Sequence, residues 1–389
     1  MYFIGIDISK YKHDCFIATE TSEVISKHFT FTNNDEGFNQ FLTLLNYLNP
    51  EYEKRIGLEA TGNYGMNLKL FLEKQDISFM EFNPYILKQF IKSQTLRRTK
   101  TDKADAIAIT EKLMSVPYKP YPKQFYHTFS LKSLTRLRER LIKQRSYYLV
   151  QITNVLDMIF PEFKPFFDNK FSVTSLFILN NYKSPDVIAN LQDSDFVIIK
   201  RKSYGTFAYM KFLKLKELAQ NSVGESNSIF ELELDCLLDC YFNLVKNISV
   251  LESNIEEIIK EINPPTLTIK GIGFISAASI IAEFGNVSSF KSSDAMLAFA
   301  GIEPSVIESG TMSQKGKMVK HGSGNLRQTL MNVAGYVVVH EPTFAKYYHK
   351  KRSEGKVHRV ALSHVAKKLV RVIYCLETKH ISFDSSKLV

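Results

Sequence analysis

The 389-residue chain holds four cysteines, Cys15, Cys236, Cys240 and Cys375, and no two of them have a C-x-x-C spacing. That excludes a disulfide framework or a zinc site and predicts reduced thiols, as in a cytosolic protein. No apolar run approaches the roughly 20 residues that a spanning helix needs, so no membrane segment is expected. Met1 leads directly into a strand pattern, and no signal peptide is expected either. Acid is in short supply: 40 Asp and Glu stand against 50 Lys and Arg, a formal net charge of +10. Such an excess favours a polyanionic partner, nucleic acid before a membrane surface. What is present otherwise is ordinary for a globular chain of two or three domains, with 44% hydrophobic and 23% charged residues.

The chain is organised around its opening stretch, residues 2–9. Phe3, Ile4, Ile6 and Ile8 predict a buried strand with one acid, Asp7, near its end. A buried carboxylate is costly unless a cation, a hydrogen-bond network or a metal compensates it. The plainer alternative is a strand-end Asp capped by a loop. Residues 3–9, 13–19 and 24–32 read as three strands joined by short turns, which makes neighbours antiparallel. A helix follows from Asp35, with Phe38, Phe41, Leu42, Leu45 and Leu48 on one face, and Pro50 ends it. Residues 55–60 then repeat the opening pattern, a short strand closing on an acid, Glu59. A glycine-rich turn leads into a helix at 66–74, and residues 78–82 form another strand closed by Asn83-Pro84. The order predicts a mixed α/β sheet.

The basic stretch with Arg97, Arg98 and Lys100 precedes a helix whose N-cap is Thr101 or Asp102. Asp102 and Asp105 are three apart and share a helix face. They either complement the helix dipole or pair with the basic run, or they hold a cation between them. Taken in order, Asp7, Glu59, Asp102 and Asp105 form a four-acid pattern suited to Mg²⁺ or Mn²⁺. Two such ions about 4 Å apart clamp the attacking and leaving oxygens of a phosphodiester. The pattern resembles that of RNase H-like nucleases of the RuvC type.

Residues 115–129 read as a Pro- and Tyr-rich linker, and 130–160 as a long helix. Residues 161–228 predict short helices. From Phe230 to Ile262 an unbroken three-four spacing of Leu and Ile marks a heptad seam. It either dimerises or packs on the helix at 130–160. Lys270-Gly271-Ile272-Gly273 opens an Ala/Ile-rich helix and resembles the turn of a helix-hairpin-helix protein, where backbone N–H groups hold a phosphate. The same glycines could instead serve close helix packing. The segment 301–327 is polar and basic, with Lys315, Lys317, Lys320 and Arg327 suited to phosphates. Within it Ser309 stands beside a glycine, either a loop cap or a hydroxyl needing a base or metal to become a nucleophile. Residues 327–339 and 347–375 read as helices, with His364 on an apolar face, and the chain beyond Lys379 as frayed.

Together these motifs resemble the DEDD transposases and Piv-type DNA invertases, the insertion-sequence group that uses a bridge RNA. Gly5-Ile6-Asp7-Ile8-Ser9-Lys10, Glu59-Ala60-Thr61-Gly62 and Asp102-Lys103-Ala104-Asp105-Ala106 carry the likeness at the front. Gly271-Ile272-Gly273, Glu283-Phe284-Gly285, Gly301-Ile302-Glu303-Pro304, Ser309-Gly310, Lys320-His321-Gly322 and Leu326-Arg327 carry it at the back. Met318-Val319-Lys320 departs mildly from an Ile-Ser-Lys-like stretch, and Ser305 and Ser313 flank the matched serine.

The resemblance implies an RNase H-like (RuvC-type) α/β domain at 1–128, a helical coiled-coil spacer at 129–264, and a mainly helical serine-bearing domain at 265–389 with a helix-hairpin-helix-like element. It implies Mg²⁺ on the four acids and a transient phosphoserine link from Ser309 to DNA. The implied partners are donor and target double-stranded DNA, a bridge non-coding RNA, and further copies of the chain as dimers pairing into tetramers, in a bacterial cytoplasm at the nucleoid. The residues also suit an invertase of the same group, a Mg²⁺-dependent structure-specific nuclease without serine chemistry, or a nucleic-acid-binding protein with structural acids.

Overall fold

The computed structural model describes residues 1–60, 62, 64–94, 101–121, 125–309, 312–319 and 322–387; at 125–128, 304–309 and 312–317 only the backbone is described. Two compact units result, Met1–Phe129 with Asn286–Lys291, and Ser130–Gly285 with Ser292–Val389.

The first unit runs β1 (Tyr2–Ile8), β2 (Lys12–Thr19), β3 (Val24–Thr32), α1 (Asp35–Tyr47), β4 (Lys54–Glu59), α2 (Met66–Lys74), β5 (Phe79–Phe82), α3 (Pro84–Gln94) and α4 (Asp102–Met114). The sheet order is β3-β2-β1-β4-β5. The first three strands are mutually antiparallel, while β1, β4 and β5 are parallel. Alternation along the strands gives each face its own core. Ile4, Ile6 and Ile8 join Ile17, Ile56 and Leu58 against Phe41 and Leu45 of α1 and Leu68 and Leu72 of α2. Phe3 and Phe82 meet Leu87 of α3 and Ile109 and Leu113 of α4 on the other face.

Two glycines seat α4. Gly5 and Gly57 are register partners on neighbouring strands. A Cβ on Gly5 would fall 2.3 Å from the Thr110 hydroxyl and 2.5 Å from the Ala106 carbonyl oxygen, and one on Gly57 would fall 3.1–3.3 Å from Phe82, Leu113 and Ile109. The helix lies where side chains would otherwise stand. Gly5→Ala is therefore expected to destabilise the first unit by about 1–3 kcal/mol. Urea unfolding checks this, and an unchanged midpoint would refute the close approach.

Four local readings need correction. Pro84 does not merely close β5: it begins α3, where its fixed φ suits the first helical turn. The linker expected at 115–129 is shorter, because α5 already begins at Phe125 and runs to Ile159. The helix expected at 347–375 is two, α15 (Pro342–Ser353) and α16 (His358–Lys379), broken at Gly355 with φ of +79°. The tail expected to fray beyond Lys379 is docked at Phe383: its N–H donates to Thr268 Oγ1 at 2.7 Å, and its ring stacks on Phe344 at 6.1 Å.

In the second unit α5 is followed by five short helices, α6 (Phe163–Phe166), α7 (Val173–Asn181), α8 (Pro185–Ala189), α9 (Asp193–Lys202) and α10 (Tyr209–Gln220). Their core is Phe160, Phe163, Ile178, Ile199, Phe212 and Leu215, closed by Ile152 and Leu156 of α5 and Leu234 and Leu238 of α11 (Ser228–Ile262). The heptad seam on α11 is thus buried at intervals, at Leu234, Ile248 and Ile255, while Leu237, Tyr241, Leu244, Leu251 and Ile258 are half-buried. The chain goes on through α12 (Phe274–Phe284), α13 (Ser293–Ala300), β6 (Pro304–Ser309), β7 (Met312–Met318) and α14 (Gly324–His340) to α15 and α16. An antiparallel hairpin thus stands where sequence gave only a polar segment. Arg136 of α5 forms a bidentate pair with buried Glu283 of α12 at 2.6 and 3.0 Å, and Arg138 reaches Glu252 of α11. Among the described residues no helix is long and apolar enough to cross a membrane.

Candidate active site

The acids of the first unit are gathered by sheet register. Asp7 of β1 lies directly opposite Asp14 of β2. Ile6 is partnered by Leu58, so the next residues of the parallel pair, Asp7 and Glu59, also come side by side. Residues in register share a face, so three carboxylates form a row across β2, β1 and β4 on the side covered by α4. Thr101 caps α4, its hydroxyl accepting from Ala104 N–H at 3.2 Å, and Asp102 and Asp105 occupy the first turn.

Electrostatics record the gathering. The Asp7 carboxyl is pushed up to about 7, first by burial and then by the charges of Asp105, Glu59, Asp102 and Asp14. Like charges around a half-buried carboxyl favour its neutral form. Acids up to 98 residues away in the chain, as Asp105 is from Asp7, thus act on Asp7.

Asp14 is a fifth acid that the sequence reading missed. It is 1% exposed and accepts from Thr30 Oγ1 at 2.7 Å, with His28 Nε2 at 2.7 Å from the same oxygen. Burial pushes its carboxyl up, but Thr30, Lys12 and His28 together hold it below the ordinary carboxylate range. Lys12 Nζ lies 3.0 Å from Asp14 and 3.3 Å from Asp102, linking β2 to the start of α4. Only the observed register reveals it: paired residues in this hairpin have numbers summing to 21, as in Tyr2 with Thr19 and Ile8 with His13, which sets Asp14 against Asp7.

The donor chemistry suits a hard divalent cation, since the side-chain oxygens gathered are carboxylates and, among the described residues, the charges acting on Asp7 are all negative. The spacing is more open than a closed metal site. Among the described residues no three His, Cys, Asp or Glu side chains stand where they could hold one ion, and Asp102 is engaged by Lys12.

The other candidate residues are distributed as follows. Ser309 belongs to the second unit, where its backbone ends β6 opposite Met312. Lys315 and Lys317 lie on β7, described as backbone only. Arg97, Arg98, Lys100, Lys320 and His321 lie outside the described residues. Arg327, near the start of α14, donates to the Gly322 carbonyl at 3.2 Å. Lys270 is exposed, and Lys270, Gly271, Ile272 and Gly273 line an open cavity of about 510 Å³ with Tyr336 and His340. Gly271 has φ of +97° and a Cβ there would press at 3.0 Å on the Tyr336 backbone, whereas one on Gly273 would meet nothing. Close helix packing therefore accounts for the first glycine and leaves the second open to a ligand.

Residues 4–161 match the family model described as Transposase of the DEDD, IS110 type, and residues 266–349 match that of the Transposase IS116/IS110/IS902 family. The chain is similar to the pilin gene-inverting protein of Moraxella bovis, 25% identical over 98% of this chain and 97% of the relative. The protein of the same name from Moraxella lacunata is also 25% identical over those shares. An uncharacterized 42 kDa protein of insertion element IS900 from Mycobacterium paratuberculosis is 23% identical over 72% of each chain.

Proposed function

Because the chain belongs to the IS116/IS110/IS902 family of transposases, we propose that it cleaves and rejoins DNA as the transposase of an insertion element, with Asp7, Glu59, Asp102 and Asp105 as its acidic centre and Ser309 as its nucleophile. The observation that supports the acidic centre is the sheet register that sets Asp7 beside Glu59, together with the rise of Asp7, first by burial and then by the charges of Asp105, Glu59, Asp102 and Asp14. Mg²⁺ or Mn²⁺ held by these carboxylates would supply the positive charge that a phosphodiester needs when its oxygens gain negative charge. Asp14, Thr30, His28 and Lys12 keep the row in place, and Lys12 orients Asp102.

In the reaction the Ser309 oxygen bonds to phosphorus, the DNA P–O bond breaks and a DNA hydroxyl leaves. A DNA hydroxyl then attacks the phosphoserine and the serine is restored. In the proposed assembly, copies dimerise along the half-buried seam of α11 and pair into tetramers, and acids of one copy and the serine of another serve one phosphodiester. The N-terminal domain is read as RuvC-type and the element at 270–273 as a helix-hairpin-helix-like phosphate contact. A bridge RNA pairs with donor and target DNA, and Lys270, Arg327 and the basic residues at 97–100 and 315–320 hold phosphates. The work takes place in the bacterial cytoplasm, on the nucleoid.

A second reading, a site-specific invertase of the same family, is favoured by the near full-length likeness to two pilin gene-inverting proteins. The DNA beside the gene separates the two: a structured non-coding segment favours RNA guidance, and an invertible segment favours inversion. The acidic centre is tested with purified protein and DNA carrying the element's ends. Asp105→Asn is expected to lower Mg²⁺-dependent strand cleavage by about a hundredfold or more, since several kcal/mol of charge stabilisation is at stake. Unchanged cleavage would remove Asp105 from the centre.

A further inference from the structure

At the carboxyl ends of the two strands that carry Asp7 and Glu59, two loops each present a tyrosine. Tyr11 lies in the turn between β1 and β2, four residues past Asp7, and Tyr64 lies between β4 and α2, five past Glu59. β1 and β4 are parallel, so both loops leave the same edge of the sheet. In open α/β sheets ligands settle outside that edge.

Asn33, just after β3, ties the loops together. Its backbone N–H donates to the Tyr11 carbonyl at 2.9 Å. Its side-chain amide donates to the Lys10 carbonyl at 3.1 Å and to the Tyr64 carbonyl at 3.5 Å. The Ser9–Lys12 turn is closed as well, by Ser9 N–H and Oγ both donating to the Lys12 carbonyl. On these hydrogen-bonded backbones the rings are presented to solvent: Tyr11 is 73% and Tyr64 50% exposed. Lys10 Nζ stands 4.7 Å from the centroid of the Tyr11 ring. Tyr47 is more exposed still, but it ends α1 rather than either of these loops.

An exposed aromatic ring on a hydrogen-bonded turn, with a cation at its face and four residues past an acid of the proposed centre, has the chemistry of a nucleobase platform. The ring offers a π-face to any base, and the ammonium offers charge to the adjoining phosphate. We propose that Tyr11 and Tyr64, with Lys10, form a stacking site for unpaired nucleobases of the DNA strand beside the scissile phosphate. The site takes single-stranded or locally unpaired DNA and is tolerant of sequence. It would hold the strand open at the acidic centre, where a stacked duplex would keep the phosphate away. This inference deepens the proposed function and rests on its assignment of the acids.

The test uses the full chain in EDTA, to prevent cleavage, with a single-stranded oligonucleotide carrying 2-aminopurine at several positions. Stacking on tyrosine quenches 2-aminopurine fluorescence. Wild-type protein is expected to quench it, and the doubly substituted Tyr11→Phe/Tyr64→Phe chain to quench it equally. Tyr11→Leu/Tyr64→Leu is expected to lose the quench and to bind the strand roughly tenfold to a hundredfold more weakly. Quenching and affinity equal to wild type in the Leu variant would overturn the proposal. A second measurement covers a Leu variant that folds poorly. Photocrosslinking of the unsubstituted chain to a 5-iodouracil strand should yield adducts on the peptides holding Tyr11 or Tyr64, and adducts confined to other peptides would overturn it too. Cleavage by Asp7→Asn in Mg²⁺ is scored separately. If it persists while the Leu variant loses its quench, the acidic assignment fails and the stacking site stands.

Discussion

Asp7→Asn will abolish Mg²⁺-dependent strand cleavage and at the same time stabilise the protein above pH 7. The two outcomes share a cause. Asp7 sits among Asp105, Glu59, Asp102 and Asp14, and burial with their charges lifts its carboxyl to about 7. In the unfolded chain the same group titrates near its ordinary value of 3.8. Between those values the native state binds the proton that the unfolded state has released, so stability falls as pH rises through that interval and levels off above about 7. Asn is close in shape to the protonated acid and carries no charge, so the variant escapes this loss. Thermal unfolding should show the variant gaining on wild type as pH is raised from 4 towards 8, by an amount that partial exposure and solvent screening reduce. Mg²⁺ should raise the melting temperature of wild type at pH 8, through preferential binding to the native state, and should do so much less for the variant. Catalysis moves the other way, because the negative charge that crowds the acids is what would bind the ion. A variant less stable than wild type at pH 8 would show that the acids do not crowd one another.

Ser309→Ala is expected to eliminate a covalent protein–DNA species. Wild-type protein incubated with end-labelled DNA, then denatured, should retain label on the polypeptide, and the Ala variant should retain none and exchange no strands. Hydroxyl attack on phosphorus has no substitute once the oxygen is removed, so the effect should approach total loss rather than a partial decline. The flanking serines allow a sharper reading. Ser305 and Ser313 lie on the two strands of the same hairpin, with Ser313 opposite Glu308 and Ser309 opposite Met312. Adduct lost only in Ser305→Ala or Ser313→Ala would move the nucleophile by a few residues. An adduct absent from wild type, with cleavage intact, would favour a nuclease in which the acids activate water.

Much of this was legible from local signals. The opening strands, the helix from Asp35, the strand ending in Glu59 and the helix after Thr101 all stand where periodicity and capping put them. Asp7 and Glu59 could be picked out because each lies at the end of an apolar strand run, and Asp102 and Asp105 because they share a face at the start of a helix. Phe163, Phe166, Phe167, Phe171 and Phe177 gave short helices but no arrangement, and they collect into one aromatic-rich core with α5 and α11. The strands β6 and β7 escaped because most of their residues are polar, glycine or proline and show no regular alternation. The docked tail escaped because its anchor, Thr268, is 115 residues away from Phe383.

The sequence by itself determined most elements of the first unit, the order of the acids along them and the family resemblance, because spacing, caps and motifs are properties of consecutive residues. Only the tertiary structure decided that Asp14 faces Asp7, that Lys12 serves both Asp14 and Asp102, and that Gly5 and Gly57 make room for α4. Those facts depend on which strands pair and in what register, and pairing is settled by the joint burial of two sheet faces rather than by any single stretch of chain.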